Sequence, residues 1–255
     1  MRKFEIRGLF REFGMMKKIA VYVEGQGELI FIRNILFHLM DPSCFSFECI
    51  RLHARDEQDV PYPYDNPNAE VHYRIVNVGN DERVLTMIRD NESRLSELGF
   101  VKIIGLRDMY SGKYRKLSNG VIDDSVTQKF VAGANGVIAN MNNPNLVRFH
   151  FSIMEIEAWW LSMYNLFAKI DNALTNRFID EKLAYDLSKI DPQNYFFHPA
   201  TEVDRIFRLT GSEYDKKLGD VERITSKIDS VDIDEATENS RCSCFKKFCE
   251  ELTAY

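Results

Sequence analysis

Between Lys17 and Glu24 the chain reads KKIAVYVE, a β-branched and apolar run closed by a carboxylate and followed by Gly25. A run of this kind, apolar without alternation, predicts a strand buried on both faces at the centre of a sheet. Gln26-Gly27 makes the turn, and Glu28 to Leu36 then carries apolar side chains at helical intervals. Glu28 falls in the first turn, where a negative charge suits a helix N-terminus. The first unit is therefore strand, tight turn, helix.

Further along, Phe45 to His53 predicts a second strand, and residues 55–68 hold Pro61, Pro63 and Pro67 among acidic and polar residues, which predicts a loop. Tyr73 to Val78 is a short strand, Asp81 to Leu98 an amphipathic helix, and Phe100 to Leu106 another buried strand, with Asp108 beyond its carboxyl end. Ser111 to Val121 is polar and contains glycine, and Asp124 to Met141 is a weaker helix. Leu146 to Ser152 alternates as LVRFHFS before a long helix expected from Glu155 to near Ala173.

Strands alternating with helices predict an α/β fold with a mainly parallel sheet flanked by helices. After Ala173 no strand pattern appears, and turns are signalled at Asp191-Pro192, His198-Pro199 and Gly211-Ser212. The expected organisation is an α/β domain over residues 15–160 with a helical C-terminal extension over 161–255 packed on it. Residues 1–14 form an N-terminal arm, dispensable if Met15-Met16 serves as an alternative start.

Composition narrows the class. The 255 residues are 45% hydrophobic and 28% charged, an ordinary globular balance, and no apolar run approaches the roughly 20 residues that cross a bilayer. The segment Met1 to Met16 lacks the apolar core and cleavage site of a secretory signal, so no membrane association and a cytoplasmic location are expected. Cys44, Cys49, Cys242, Cys244 and Cys249 are an odd set that suits reduced thiols. Cys242, Cys244 and Cys249 lack a nearby fourth ligand for zinc.

A net charge of −6 makes the chain as a whole repel a polyanion, so any nucleic-acid contact must be local. Basic residues gather at Arg2, Lys3, Arg7, Arg11, Lys17 and Lys18, a cluster that reads as a solvated face, and again at Lys102, Arg107, Lys113, Arg115 and Lys116. Of the second group, Arg107, Lys113, Arg115 and Lys116 are the candidate nucleic-acid contacts.

In an open α/β sheet the ligand crevice lies beyond the carboxyl ends of the strands, where Glu24, Asp108 and the pair Glu155/Glu157 are expected to fall. Crowded carboxylates repel one another unless they share protons or hold a cation, and an all-oxygen set suits Mg²⁺ or Mn²⁺ rather than zinc.

The segment KKIAVYVEGQGELIFIRNIL resembles the first motif of the Toprim superfamily, a strand ending in Glu, then Gly, then a helix. Later segments resemble a branch of bacterial Toprim-like proteins associated with ATPase partners and anti-phage defence. They are Ile103 to Asp108, Glu157-Ala158-Trp159, Tyr214-Asp215-Lys216-Lys217 and the tail from Cys244 to Leu252. The resemblance implies a metal-dependent nuclease acting on DNA or RNA, with Glu24 as catalytic glutamate and Asp108 as metal ligand. Glu28 and Glu157 are further candidate ligands. It also implies an ATPase partner protein, and assembly of several copies is compatible with it. The family's usual Asp-x-Asp reads Asp108-Met109-Tyr110 here. Glu157, Glu155 or Asp123/Asp124 could supply the missing oxygen, a single metal could bind, or catalysis could be lost with only a sensor or partner role retained.

Other conspicuous residues point to structure. Neither phosphate-binding glycine pattern is present, so Gly25 and Gly27 are turn residues. The five histidines are scattered, and Trp159 and Trp160 sit at helical spacing with Leu161, Tyr164 and Phe167, which predicts core packing.

Overall fold

The computed structural model describes residues 16–53, 56–80, 82–238 and 241–255. The N-terminal arm, and the basic residues from Arg2 to Arg11 within it, lie outside them. Among the described residues there are six strands: β1 (Lys17–Val23), β2 (Phe45–His53), β3 (Asp56–Asp59), β4 (Val71–Asn77), β5 (Phe100–Asp108) and β6 (Val147–Ser152). They form one sheet in the order β3-β2-β4-β1-β5-β6, parallel throughout except for β3. This is the α/β architecture that the alternating pattern predicts.

Helices α1 (Gln26–Leu39), α2 (Arg83–Glu97), α3 (Gly112–Ser118) and α4 (Asp124–Ile138) connect the strands. Eight more follow β6: α5 (Glu157–Ser162), α6 (Leu166–Ile170), α7 (Asn176–Leu183), α8 (Pro192–Tyr195), α9 (Pro199–Arg208), α10 (Leu218–Thr225), α11 (Ser230–Thr237) and α12 (Ser243–Thr253).

Side chains alternate across a strand, so the sheet has two cores. Ile19, Val21, Val23, Ile104 and Leu106 face α1 and the C-terminal helices, packing with Phe31, Trp159, Trp160, Phe245 and Leu252. Ala20, Tyr22 and Ile103 face the other way, against Val84, Ile88 and Leu95 of α2 and Ile138 of α4. Both tryptophans are fully buried, as their helical spacing predicts. The helices after residue 161 thus share the core of the sheet.

Three stretches differ from their sequence patterns. The proline-rich loop begins as β3, an acidic edge strand antiparallel to β2, because main-chain pairing does not require apolar side chains and charge at an edge deters further pairing. The polar stretch after Asp108 contains α3, capped at its start by Ser111 Oγ, which accepts from the Tyr114 N–H, and at its end by Asn119 in the left-handed region. The long helix expected from Glu155 breaks between α5 and α6. Ser162 Oγ donates to the Trp159 carbonyl at 2.6 Å, while the Met163 N–H turns to the Trp160 carbonyl, so the α-helical ladder ends there.

Candidate metal centre

Strand β1 sits between β4 and β5, and the chain leaves β1 and β5 in opposite directions: β1 returns through α1 to β2, β5 through α3 and α4 to β6. Neighbouring strands whose connections diverge open a crevice between their carboxyl ends. Glu24 follows the end of β1 and Asp108 ends β5, so both stand at that crevice. The Asp108 main-chain N–H donates to Glu24 Oε2 at 3.1 Å.

Glu28 joins them from the first turn of α1, buried at 8% exposure. A Cβ on Gly25 would come within 2.8 Å of Glu28 Oε2, so the missing side chain at this helix start is what lets the Glu28 carboxylate lie so close to the backbone. Burial above all, then the charge of Glu24, pushes the Glu28 carboxyl up to about 8. The same two influences, in the same order, push Asp108 well above the ordinary carboxylate range.

From the other side, β6 brings Ser152 opposite Asp108, and Ser152 Oγ donates to Asp108 Oδ1. The ladder continues past the strand ends through Met109 N–H to Ser152 O and Tyr110 N–H to Met154 O. Met154 is left-handed, with φ of 66°, and the turn it makes delivers Glu155 and Glu157, both buried. Glu155 Oε2 accepts from the Ala200 N–H at 3.1 Å, and Glu157 Oε1 accepts from the Tyr214 hydroxyl at 2.6 Å. Glu157 Oε2 is buried without a hydrogen-bond partner.

One ammonium pairs with these last two acids. Lys216 Nζ lies 2.6 Å from Glu155 Oε1 and 3.2 Å from Glu157 Oε1. Burial disfavours the Lys216 ammonium, but the charges of Glu157, Glu155 and Asp108 outweigh that and hold it above its ordinary range. Burial likewise raises Glu157, with Lys216 opposing. Lys216 makes both ion pairs from a left-handed φ of 62°, uncommon for a residue with a side chain.

Two groups of ligand oxygens result: Glu24, Glu28 and Asp108, and Asp108, Glu155 and Glu157, with the atoms of each group within 4.8 Å of one another. Buried acidic clusters of this kind could hold a metal ion. Among the described residues these groups contain no histidine or cysteine. The cysteines are free thiols, and Trp159 Nε1 donates to Cys244 Sγ. His150 is half-buried against Phe248, and loss of solvent pushes it down to about 4.

The sequence candidates divide accordingly. Glu24, Glu28, Asp108 and Glu157 come together. Asp123 does not join them, because its carboxylate caps α4 by accepting from Ser125 and Val126 N–H. Tyr110, where the resemblance implies a second aspartate, shares a 2.8 Å hydrogen bond with His198 Nδ1, and the Arg115 guanidinium lies 5.0 Å from its ring centre. Arg107 and Lys113 line a cavity on the opposite face of the sheet, and Lys116 is exposed. Ser152, Tyr214 and Lys216 carry no site role in the sequence reading. Tyr214 and Lys216 lie in a segment marked only by its resemblance.

No protein-family model, no curated protein and no solved structure matches this chain.

Proposed function

We propose that this protein is a divalent-metal-dependent, nuclease-type enzyme that cleaves phosphodiester bonds in DNA or RNA. The observation that carries the reading is the convergence of five carboxylates on the crevice between β1 and β5, in two groups that share Asp108. Burial and mutual repulsion hold Glu28 and Asp108 towards protonation, a penalty that a bound cation would relieve. The unpartnered Glu157 Oε2 fits the same role. An all-oxygen donor set favours Mg²⁺ or Mn²⁺.

Bound there, such an ion would neutralise charge on a phosphodiester and lower the pKa of water. The chain's own residues account for the rest. Glu24, oriented by the Asp108 N–H, is the candidate catalytic carboxylate. Ser152 holds the Asp108 rotamer, and Lys216 offsets the charge of Glu155 and Glu157 beside it. The order of motifs resembling the Toprim superfamily supports the reading, and in place of that family's second aspartate Glu155 and Glu157 supply oxygens beside Asp108. The resemblance also carries the proposal of an ATPase partner and of anti-phage defence in the cytoplasm. No helix among the described residues is long and apolar enough to cross a membrane.

Purified protein should cut a mixed panel of DNA and RNA with Mn²⁺ or Mg²⁺, and Glu24→Gln should abolish the cutting. Equal behaviour of the two proteins would sink the proposal. A second reading, a non-catalytic sensor or partner subunit, is favoured by Tyr110, whose hydroxyl is engaged by His198. It requires an ATPase complex and a cellular phenotype that both survive Glu24→Gln.

A further inference from the structure

Arg107 and Asp108 are consecutive on β5, so they project to opposite faces of the sheet. Asp108 enters the acidic crevice, whereas Arg107 lines a separate open cavity of about 550 Å³ bordered by α2, α3, α4, β5 and β6. The volume lies within the range of small-molecule sites. Its walls are apolar and aromatic, formed by Phe130, Phe149 and Phe151 among others. Phe149 and Phe151 meet edge to face at 5.2 Å. Gly105 makes room for this wall, since a Cβ there would come within 2.5 Å of the Phe149 ring.

The cavity also gathers basic side chains in a chain whose net charge is −6. Arg107, Lys113 and Lys129 line it together with the carboxylate of Glu82. Lys113 Nζ lies 5.9 Å from the Phe130 ring centre, so cation and aromatic surface are already juxtaposed. Leu117 and Val137, also lining residues, are 52% and 36% exposed, an apolar rim left open to solvent.

From this combination we infer that the cavity is a nucleotide-binding site. A nucleobase offers a flat aromatic face for the phenylalanine walls, and its phosphate carries the charge that the exposed Lys113 and Lys129 complement. Base N–H or ribose hydroxyl groups supply donors for Glu82, which an aliphatic carboxylate does not. The occupant is either a free nucleotide or one nucleotide unit of a single strand, with the same chemistry in both cases. The inference does not rest on the acidic crevice being catalytic.

The test is titration of the full chain by calorimetry in EDTA, so that no cation can bridge a phosphate to the acidic crevice. The four 5′-ribonucleoside monophosphates, a short oligothymidylate and decanoate are the probes. Saturable binding of at least one nucleotide probe is expected, with decanoate binding more weakly. Tighter binding of the oligonucleotide identifies a strand unit, and tighter binding of a monophosphate identifies a free nucleotide.

Lys113→Glu with Lys129→Glu should weaken that binding about tenfold or more, since each change removes a charged partner. Both lysines are exposed, so the fold should tolerate the change. Gly133→Trp, on an open position of α4 with nothing within 4 Å of its Cβ, should block the cavity without altering its charge. The inference is overturned if no nucleotide probe saturates, if decanoate binds as tightly, or if binding survives both variants.

Discussion

The Asp108 N–H donates to Glu24 Oε2 at 3.1 Å, so the carboxylate that ends one strand unit is held by the backbone of the next. The bond places Glu24 by its oxygen rather than by its charge. Glu24→Gln retains an acceptor for that N–H and should fold with an unfolding midpoint close to that of the parent chain. Metal-dependent cleavage should nevertheless fall by about 10²-fold or more, the usual effect of losing a positioned acid or base. A variant that keeps both its midpoint and its cleavage rate would show that Glu24 has no part in the chemistry.

Gly25 offers a change of position without a change of charge. A methyl group there would collide with Glu28 Oε2, the mobile end of a side chain, while Gly25 itself has an extended backbone that alanine can adopt. Gly25→Ala should therefore displace the Glu28 carboxylate and leave global stability within about 1 kcal/mol. Mn²⁺ affinity, read by electron paramagnetic resonance, should drop by about tenfold. Unchanged affinity would mean that Glu28 is not a ligand.

Glu28 also makes stability depend on pH in an unusual direction. Its carboxyl titrates at about 8 in the folded chain against an ordinary value of 4.5, so the native state binds the proton more tightly than the unfolded state. That contribution is complete below 4.5, falls as pH rises, and is gone once pH passes about 8. The expected slope for one proton is about 1.4 kcal/mol per pH unit across this window. Urea unfolding of metal-free protein between pH 5 and 8.5 should show the decline, and Glu28→Gln should make it shallower, the raised Asp108 carboxyl supplying what remains. Mn²⁺ should restore stability at the upper end in the parent chain, because binding replaces the proton. A parent curve parallel to that of the variant would refute the assignment.

The contrast among these residues shows what the chain makes legible. Glu24 and Glu28 are readable because strand, turn and helix are consecutive, so periodicity alone brings both acids to one end of β1. Asp108 is readable for the same reason at the end of β5. Lys216 is not, since it reaches Glu155 from 61 residues away, out of a turn that holds a non-glycine residue in the left-handed region. Ser152 looks like any alternating strand residue until the register of β5 with β6 sets it opposite Asp108. The break between α5 and α6 is equally hidden, because Ser162 and Met163 are both compatible with a helix and the turn of the Met163 N–H to the Trp160 carbonyl leaves no pattern in the sequence.

Lys216 is the natural test of the second oxygen group. It neutralises Glu155 and Glu157, which are 7% and 2% exposed, so Lys216→Met leaves two buried carboxylates without their ammonium. Breaking a buried ion pair costs roughly 3–5 kcal/mol, and the 45% exposure of the lysine side chain reduces the expectation to about 2 kcal/mol. Saturating Mn²⁺ should recover more stability in this variant than in the parent, because a cation can then occupy the charge vacated beside Asp108. Equal recovery in both would show that Asp108, Glu155 and Glu157 do not bind the ion.

The last helix tests whether the crevice stands on the sheet alone. Phe245, Phe248 and Leu252 of α12 are fully buried, and Phe245 lies 4.9 Å from Trp159 and 5.9 Å from Phe31, ring centre to ring centre. The Tyr73 hydroxyl of β4 donates to the Leu252 carbonyl at 2.6 Å in a buried setting. Lys102 of β5 pairs with Glu251 at 2.6 Å. Phe31 belongs to the helix that carries Glu28, and Trp159 to the helix that carries Glu157, so one aromatic contact supports both oxygen groups. Phe245→Ala should cost about 3–5 kcal/mol and weaken Mn²⁺ binding along with stability. A chain ending before residue 243 should lose cooperative unfolding in urea and be cut rapidly by protease. If that shortened chain instead unfolds cooperatively at an unchanged midpoint, the sheet and its acidic crevice are independent of the helices behind them.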